Sequence, residues 1–385
     1  MSIRDNTRKR SLLSTGMIVL LGLGFIFCVA AAGMLWYWNA NKKGIIRGKI
    51  DNLIAQKSQG LYKIHYDSLD LDEVSGYMSV SGIHLGHDPL KLDSLDAAGK
   101  APSLLLKVDV PVLTIEGVKT PRALLDKEIV GRKLQLQQPV IHIYYTGRGK
   151  DSTHNIPSRD VYRQILGDLD LIKIDTLDII NASIITHNQH THKEKVKFEN
   201  VRLTLLDLAI DSSSNTDDQR MLFSREFVFH CKKISWPDNI RPYSFIFDNL
   251  DVNSSAQQIS IRQFRVLPYM KEEAFVKSLP TQDDRFDFVL NQIVFSGVDC
   301  RQLFDEAIVA QSMEVRNSSF RIYRDLNIPR DKKNRIGTYP HQLLKKIPIA
   351  VAIKKVIFPA SYIEYKEKNN ITHQAGVVKF RNVYA

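Results

Sequence analysis

The chain has 385 residues, 53 Lys and Arg against 42 Asp and Glu, a formal net charge of +11, and three cysteines. That length holds two ordinary domains or one elongated array, and so few cysteines exclude a disulfide framework or a cysteine-rich metal cluster. The basic balance suits a surface beside anionic lipid, and it suits a soluble surface with no specific partner equally well.

Residues 1–15 read as a short cytoplasmic tail carrying Arg4, Arg8, Lys9 and Arg10. Residues 16–38, GMIVLLGLGFIFCVAAAGMLWYW, carry no charge. As a helix they would span about 34 Å, slightly more than the hydrocarbon core of a bilayer. A secretory signal cleaved near Ala30, Ala31 and Ala32 competes with a retained transmembrane anchor. The anchor is favoured because apolar character continues to Trp36, Tyr37 and Trp38, aromatic side chains suited to the membrane–water interface. Lys42, Lys43, Arg47 and Lys49 follow closely and weaken the charge bias that sets orientation. Residues 39–61 are expected to form a juxtamembrane linker or helix. No later segment is apolar enough to cross a membrane, so the rest of the chain is expected to form one water-exposed body.

That body is written almost twice. YKIHYDSLDL from Tyr62 returns as YSFIFDNLDV from Tyr243, LTIEGV from Leu113 as IVFSGV from Ile293, and RALLDKEIV from Arg122 as RQLFDEAIV from Arg301. VIHIYY from Val140 matches SFRIYR from Ser319, and VKFENV from Val196 matches VKFRNV from Val378. The spacing stays near 180 residues, which predicts two tandem units, 62–242 and 243–385. The second is expected to be incomplete, since the first continues past its VKFENV as RLTLLDLAID. Either the chain is a fragment of a longer repeat protein, or a free sheet edge docks a partner.

Alternating apolar and polar residues predict strands in both units. Helices are expected only in connections: SRDVYRQILGDL from Ser158, HQLLKK from His341, and short turns at Arg122–Lys127 and Arg301–Glu306. The alternation slips by one residue at matching places. Tyr66 steps to Leu69 as Phe247 steps to Leu250, and Val80 to Ile83 as Ile261 to Phe264. Ile115 steps to Val118 as Phe295 to Val298, and Phe198 to Val201 as Phe380 to Val383. An extra residue at such a point keeps the following side chains on the same face only if the strand bulges, and bulges bend and twist a sheet. The predicted fold is therefore mainly β: an N-terminal transmembrane helix followed by an elongated, curved antiparallel sheet forming a gutter or groove.

The dry face of such a gutter can hold acyl chains, each CH₂ removed from water being worth about 0.8 kcal/mol. The alternation places Met78, Val80, Ile83, Leu85, Ile141, Ile143, Phe198 and Val201 on that face in the first unit. In the second it places Ile259, Ile261, Phe264, Val266, Phe320, Ile322, Phe380 and Val383. Which face is concave does not follow from the pattern.

One N-terminal anchor followed at once by a β-rich body whose first strands read LDLDEVSGYMSVSGIHLG resembles the AsmA-like proteins of bacterial envelopes, and through them the bridge-like lipid-transfer proteins built from repeating β-groove units. The resemblance spans the anchor and the repeated region. It implies a single-pass inner-membrane protein with a periplasmic groove, phospholipid traffic or envelope maintenance, membrane lipids and other envelope proteins as partners, and no catalytic residues. The alternative is a tethered scaffold or interaction module with a closed β core and no lipid cargo.

Other motifs carry less. His187, His190 and His192 in THNQHTHKEK can share a metal, yet the repeated stretch offers only His373, and polar residues are normal between strands. GRGK at 147–150 lacks the spacing and following residue of a phosphate loop. No nucleophile elbow, HExxH or CxxC is present, so no enzyme, cofactor or metal is expected. The basic cluster Arg330, Lys332, Lys333 and Arg335 lacks the interleaved aromatics of a nucleic-acid surface.

Overall fold

The computed structural model describes residues 60–72, 75–99, 104–118, 128–145, 170–188, 194–213, 219–237, 243–304, 307–330 and 350–385, together with Ser58, Ala101, Pro102 and Asp217. The expected anchor, the linker apart from Ser58, Gly60 and Leu61, the helix expected from Ser158, and HQLLKK lie outside the described residues, as do GRGK and the turn at Arg122–Lys127. Two compact units divide between Lys232 and Lys233.

In the first unit the chain runs β1 (Tyr62–His65), β2 (Ser68–Asp72), β3 (Tyr77–His87), α1 (Pro89–Ala97), β4 (Leu104–Glu116), β5 (Glu128–Gln137), β6 (Val140–Tyr145), β7 (Leu171–Asn188) and β8 (Glu194–Asp211). The unit boundary falls inside β9 (Glu226–Pro237). The second unit continues with β10 (Tyr243–Asn253), β11 (Gln258–Pro268), α2 (Glu272–Lys277), β12 (Arg285–Ser296), β13 (Ala307–Asp325), β14 (Ala350–Ile357), β15 (Ser361–Lys368) and β16 (Ala375–Val383). The protein is mainly β, as the alternation predicts.

The sheet is mixed, which corrects the antiparallel expectation. In the first unit β3, β4, β5, β7 and β8 are neighbours in that order, with β1 and β2 both along β3 and β6 continuing the line of β5. Most pairs are antiparallel, but β5 and β6 run parallel to β7. In the second unit the order is β10, β11, β12, β13, β15, β16, and β14 and β15 both run parallel to β13. Long connections, residues 146–170 and 326–349, precede the parallel strands in both units. A parallel neighbour needs a crossover of about a dozen residues or more, and both connections are long enough.

The duplication in the sequence is a duplication of geometry. The Tyr62 hydroxyl accepts a hydrogen bond from the Leu106 backbone N–H at 3.0 Å, and the Tyr243 hydroxyl accepts one from the Phe286 N–H at 3.0 Å. In the first unit the pairing of β3 with β4 ends at Leu85 and Val108, which leaves the Leu106 N–H beyond that ladder, and the phenol takes the missing partner's place. Both helices occupy the same connection of their unit, β3 to β4 and β11 to β12. The apolar pattern does not announce them. Local chemistry does: Pro89 opens α1, and the Asp88 carboxylate accepts from the Leu90 and Lys91 N–H groups.

Most of the phase slips are left-handed backbone positions; those from Tyr66 to Leu69 and from Ile261 to Phe264 are not. Asn249 (φ 48°) separates Phe247 from Leu250, Gly82 (φ 62°) separates Val80 from Ile83, and Asn200 (φ 51°) and Asn382 (φ 54°) stand in the two copies of VKFxNV. Others carry no slip noted in the sequence: Gln138, Asn181, Gln292, Asn317 and Ala360. Register puts them at one level across each sheet. Gln138 lies beside the Gln137–Ile180 pair, Asn181 follows it, and Val201 faces Ala182. Asn and Gly tolerate this conformation better than branched residues do. At that level Pro139 and Pro359 also interrupt a strand, because proline offers no N–H to the ladder.

A second level repeats at Gly117 (φ 72°) and Gly297 (φ 63°). A Cβ on Gly117 would meet the Arg132 side chain at 2.5 Å, and one on Gly297 would meet the Gln311 side chain at 2.5 Å. Each glycine thus lets the neighbouring strand's side chain cross its backbone. Gly117→Ala and Gly297→Ala should each cost about 1–3 kcal/mol in urea unfolding. Gly86→Ala, where a Cβ meets nothing within 4 Å, should be close to neutral.

Candidate functional site

Strand register assembles the sixteen apolar positions on one face of each unit. In the first, Met78 faces Ile115, Val80 faces Leu113, Ile83 faces Val110 and Leu85 faces Val108. Ile141 lies between Val108 and Ile184, and Ile143 between Leu106 and Thr186. Phe198 faces Ile184, and Val201 faces Ala182. Directly opposed residues share a face, so these eight belong to one apolar layer. The slips from Ile174 to Leu177 and from Ile179 to Ala182 keep β7 in it. Most of this layer is buried, Leu113, Leu134 and Ile172 completely. Leu85 and Phe198 are half-buried.

The second unit has the same layer with a different surface. Ile259 and Ile261 are buried, and Ile261 packs with Ile293 and Val315. Beyond the level of Asn249 and Gln292 the face becomes aromatic and half-buried. Phe264 lies between Phe247 and Leu290, and Val266 between Phe245 and Phe288. Phe320 lies between Phe288 and Ile363, and Ile322 between Phe286 and Tyr365. Phe380 faces Ile363 and is 52% exposed, and Val383, facing Ser361, is half-buried. Ring contacts tie the stripe together: Phe247 to Phe264 at 4.4 Å, Phe288 to Phe320 at 5.4 Å, and Trp236 to Phe245 at 5.3 Å.

Phe286, Phe288, Ile363 and Trp236 complete this face and are absent from the candidates read from the sequence. The alternation RFDFVL held the signal for the first two. Ile363 and Trp236 needed the register. Half-exposed apolar side chains in an unbroken row across strands mark a surface made for contact.

The opposite face of the second unit is polar and internally paired. Arg265 meets Asp248 at 2.7 Å, and Lys366 reaches Glu272 on α2 at 2.7 Å; Arg324 and Asp284, joined by two bonds of 2.6 Å, instead close the end of the apolar face, in the alternation of Phe320 and Ile322 and of Phe288 and Phe286. A cavity of about 680 Å³ on this side is lined by Lys271, Glu272, Arg285, Arg321, Tyr323 and Lys366 among others. Its charges balance and largely neutralise one another. Phe275 of α2 packs edge-on against Tyr243 at 5.9 Å, anchoring the helix beside it.

On the polar face of the first unit, His142 Nδ1 and His187 Nε2 stand 2.9 Å apart on β6 and β7. His187, one of the three histidines singled out in the sequence, is buried; His190 and His192 lie outside the described residues. Burial, with the neighbouring His187 and Lys107, pushes the His142 pKa below its ordinary value. Among the described residues, no group of three or more His, Cys, Asp or Glu is placed to hold a metal ion. Cys231 and Cys300 are buried cysteines outside any disulfide. His373 hydrogen-bonds Asn327 instead. Among the described residues no helix is long and apolar enough to cross a membrane.

No protein-family model and no curated protein matches the chain. Among solved structures, the crystal structure of "Sex pheromone staph-cAM373 precursor" aligns over 86% of this chain and 89% of that one, at 7% identity and a TM-score of 0.17. A similarity of that size carries no argument about fold or function.

Stability should respond to pH at both ends. Burial pushes Tyr145, Tyr323 and Tyr365 up to about 12, with help at Tyr323 from Asp325 and at Tyr365 from its hydrogen bond to Glu367. Above pH 10 the unfolded chain loses these protons while the folded chain keeps them, so stability should fall between pH 10 and about 12. His142 acts oppositely. Its folded value is depressed, so the unfolded chain takes up the proton first and stability should fall as pH drops through 6.5. Urea midpoints measured across pH check both limbs, and Tyr145→Phe should flatten the alkaline one.

Proposed function

We propose that this is a membrane-anchored periplasmic β-groove protein of the bacterial envelope that binds or conducts phospholipid acyl chains. The observation that supports it is the half-exposed aromatic and aliphatic stripe of the second unit, from Phe245 through Phe264, Phe288 and Phe320 to Ile363. An acyl chain lying along it exchanges water for apolar contact at about 0.8 kcal/mol per CH₂. The stripe is one-sided, and charged side chains cover the reverse of the same strands, so a headgroup can stay in water while its tail lies against the rings. The reading assigns no catalytic residue and no cofactor. It keeps the anchor at residues 16–38 in the inner membrane. It also places contacts with other envelope proteins at β16, where Val377, Val378 and Phe380 are exposed.

A second reading, a tethered scaffold with a closed core, draws on the first unit, whose apolar layer is mostly buried. Site-specific photocrosslinking in cells separates the two. A benzophenone side chain at Phe264, Phe288 or Phe320 of the full chain should yield phospholipid adducts detectable by mass, and one at Arg265 or Arg321 on the reverse should not. Phe264→Asp removes an apolar contact worth about 1.5–3 kcal/mol, so adducts at Phe288 should drop about tenfold or more. Absence of lipid at all three positions, or equal labelling of both faces, would leave the scaffold.

A further inference from the structure

We infer that the outer edge of β14 is a docking site for a β-strand of a partner protein, a strand apolar at alternate residues and acidic on its polar side, which adds antiparallel to it. The site uses the edge of the sheet and not its face, so it is independent of the acyl-chain reading. It extends the contacts with other proteins placed at β16 to a second strand.

The first unit shows what such an edge takes. β14 runs beside β13 in the register that the first half of β7 has beside β5: Ile308 faces Val351 as Ile129 faces Ile172, Ala310 faces Ile353 as Gly131 faces Ile174, and Met313 faces Val356 as Leu134 faces Leu177. Both ladders skip one residue of each strand at the same place, Gln311 and Lys354 in one, Arg132 and Asp175 in the other. On the far side of β7 lies the second half of β8, where Ile210, Leu208 and Leu205 face Ile172, Ile174 and Leu177, and all six side chains are buried. Among the described residues, β14 pairs with β13 alone. Val351 and Val356, in the places of Ile172 and Leu177, are 51% and 43% exposed, against 0% and 4% for their counterparts. Unpaired backbone groups beside uncovered alternate side chains are what strand addition uses.

The register of an added strand is fixed from the kink. Phe358 pairs there with Ala385 through N–H···O bonds of 2.8 and 3.1 Å, the counterpart of Ile179 with Leu203. Charge selects the occupant. Lys354 and Lys355 are exposed where β7 has Asp175 and Thr176. Level with Asp175 in β8 is Asp207, whose carboxylate is met by Arg220 at 3.2 Å and Arg225 at 2.8 Å. A partner strand with an acidic residue at that level meets Lys354 instead. A second copy fits poorly: β14 paired antiparallel with itself brings Lys354 and Lys355 of both chains together at its middle, and like charges opposed across a ladder destabilise it.

The probe is a capped synthetic peptide with the sequence of Arg202–Asp211, RLTLLDLAID, standing in for the partner's strand and titrated by fluorescence anisotropy against the full chain in detergent. One peptide per chain should bind, and a scrambled peptide should bind at least about tenfold more weakly. Val351→Ser and Val356→Ser, at side chains already exposed, should each weaken binding about fourfold or more. Lys354→Glu/Lys355→Glu should weaken it too, and a peptide carrying Asp207→Lys should recover it on that variant. Val356→Cys should form a disulfide, mapped by mass after digestion, with a peptide carrying Leu205→Cys and not with one carrying Ile210→Cys; Val351→Cys should show the reverse preference. No saturable binding, equal binding of the scrambled peptide, or disulfides indifferent to register would each overturn the site. So would sedimentation of the full chain as a dimer that Val351→Asp dissolves, which would give the edge to a second copy, or displacement of the peptide by phosphatidylethanolamine in mixed micelles, which would give it to lipid.

Discussion

Everything else in this sheet rests on one backbone constraint: at fixed levels a strand must slip by one residue, in most strands through a left-handed residue, so that the same face stays apolar on both sides of a kink. A strand without the slip would turn its apolar side chains to the wrong face beyond the kink. Asn249 keeps Leu250 and Val252 in the layer begun by Phe245 and Phe247. Asn181 does the same for Ala182 and Ile184. Because neighbouring strands slip at the same level, their ladders stay in register, and the cost of each left-handed residue is shared by a row rather than borne by one strand.

That constraint explains why the repeat survives as geometry where identity has faded. Gly117 and Gly297 are followed in register by Arg132 and Gln311, unlike side chains that fill the same space above a bare backbone. The Tyr62 and Tyr243 hydroxyls satisfy the same orphaned N–H in both units. What differs between the units is the filling of the apolar layer. Branched aliphatics pack tightly in the first, and phenyl rings, which meet stacked at 4.4 Å or edge-on at 5.4 Å, form much of the second. The second unit consequently presents an apolar surface where the first presents a core, and the proposed contact with acyl chains follows from that difference.

The polar face is not merely the solvated reverse. In the second unit its ion pairs brace β10 against β11 and β15 against α2, with Arg265 gripping Asp248 and Lys366 gripping Glu272. In the first, His142 and His187 share a 2.9 Å hydrogen bond between β6 and β7, and Tyr144 stacks on His187. Separating the two chemistries by face lets one set of strands offer an oily surface and a charged one without mixing them.

The sequence by itself determined the strand content, the duplication and the membership of the apolar face. Period-two alternation is a local property, and slips at four matching places in each unit were visible as steps of three between apolar residues. It also hinted at Asn200 and Asn382 through VKFENV and VKFRNV. It did not determine strand direction. β5 and β7, or β13 and β15, run parallel because long connections return the chain to its starting end, and no local pattern records which neighbour a strand will take. Nor did it determine how open the face is. Phe288 and Phe320 read like Ile83 and Ile143 in the alternation, yet the first pair is half-buried and the second buried. Pairing across strands decided that, as it decided that His142 would meet His187 from 45 residues away.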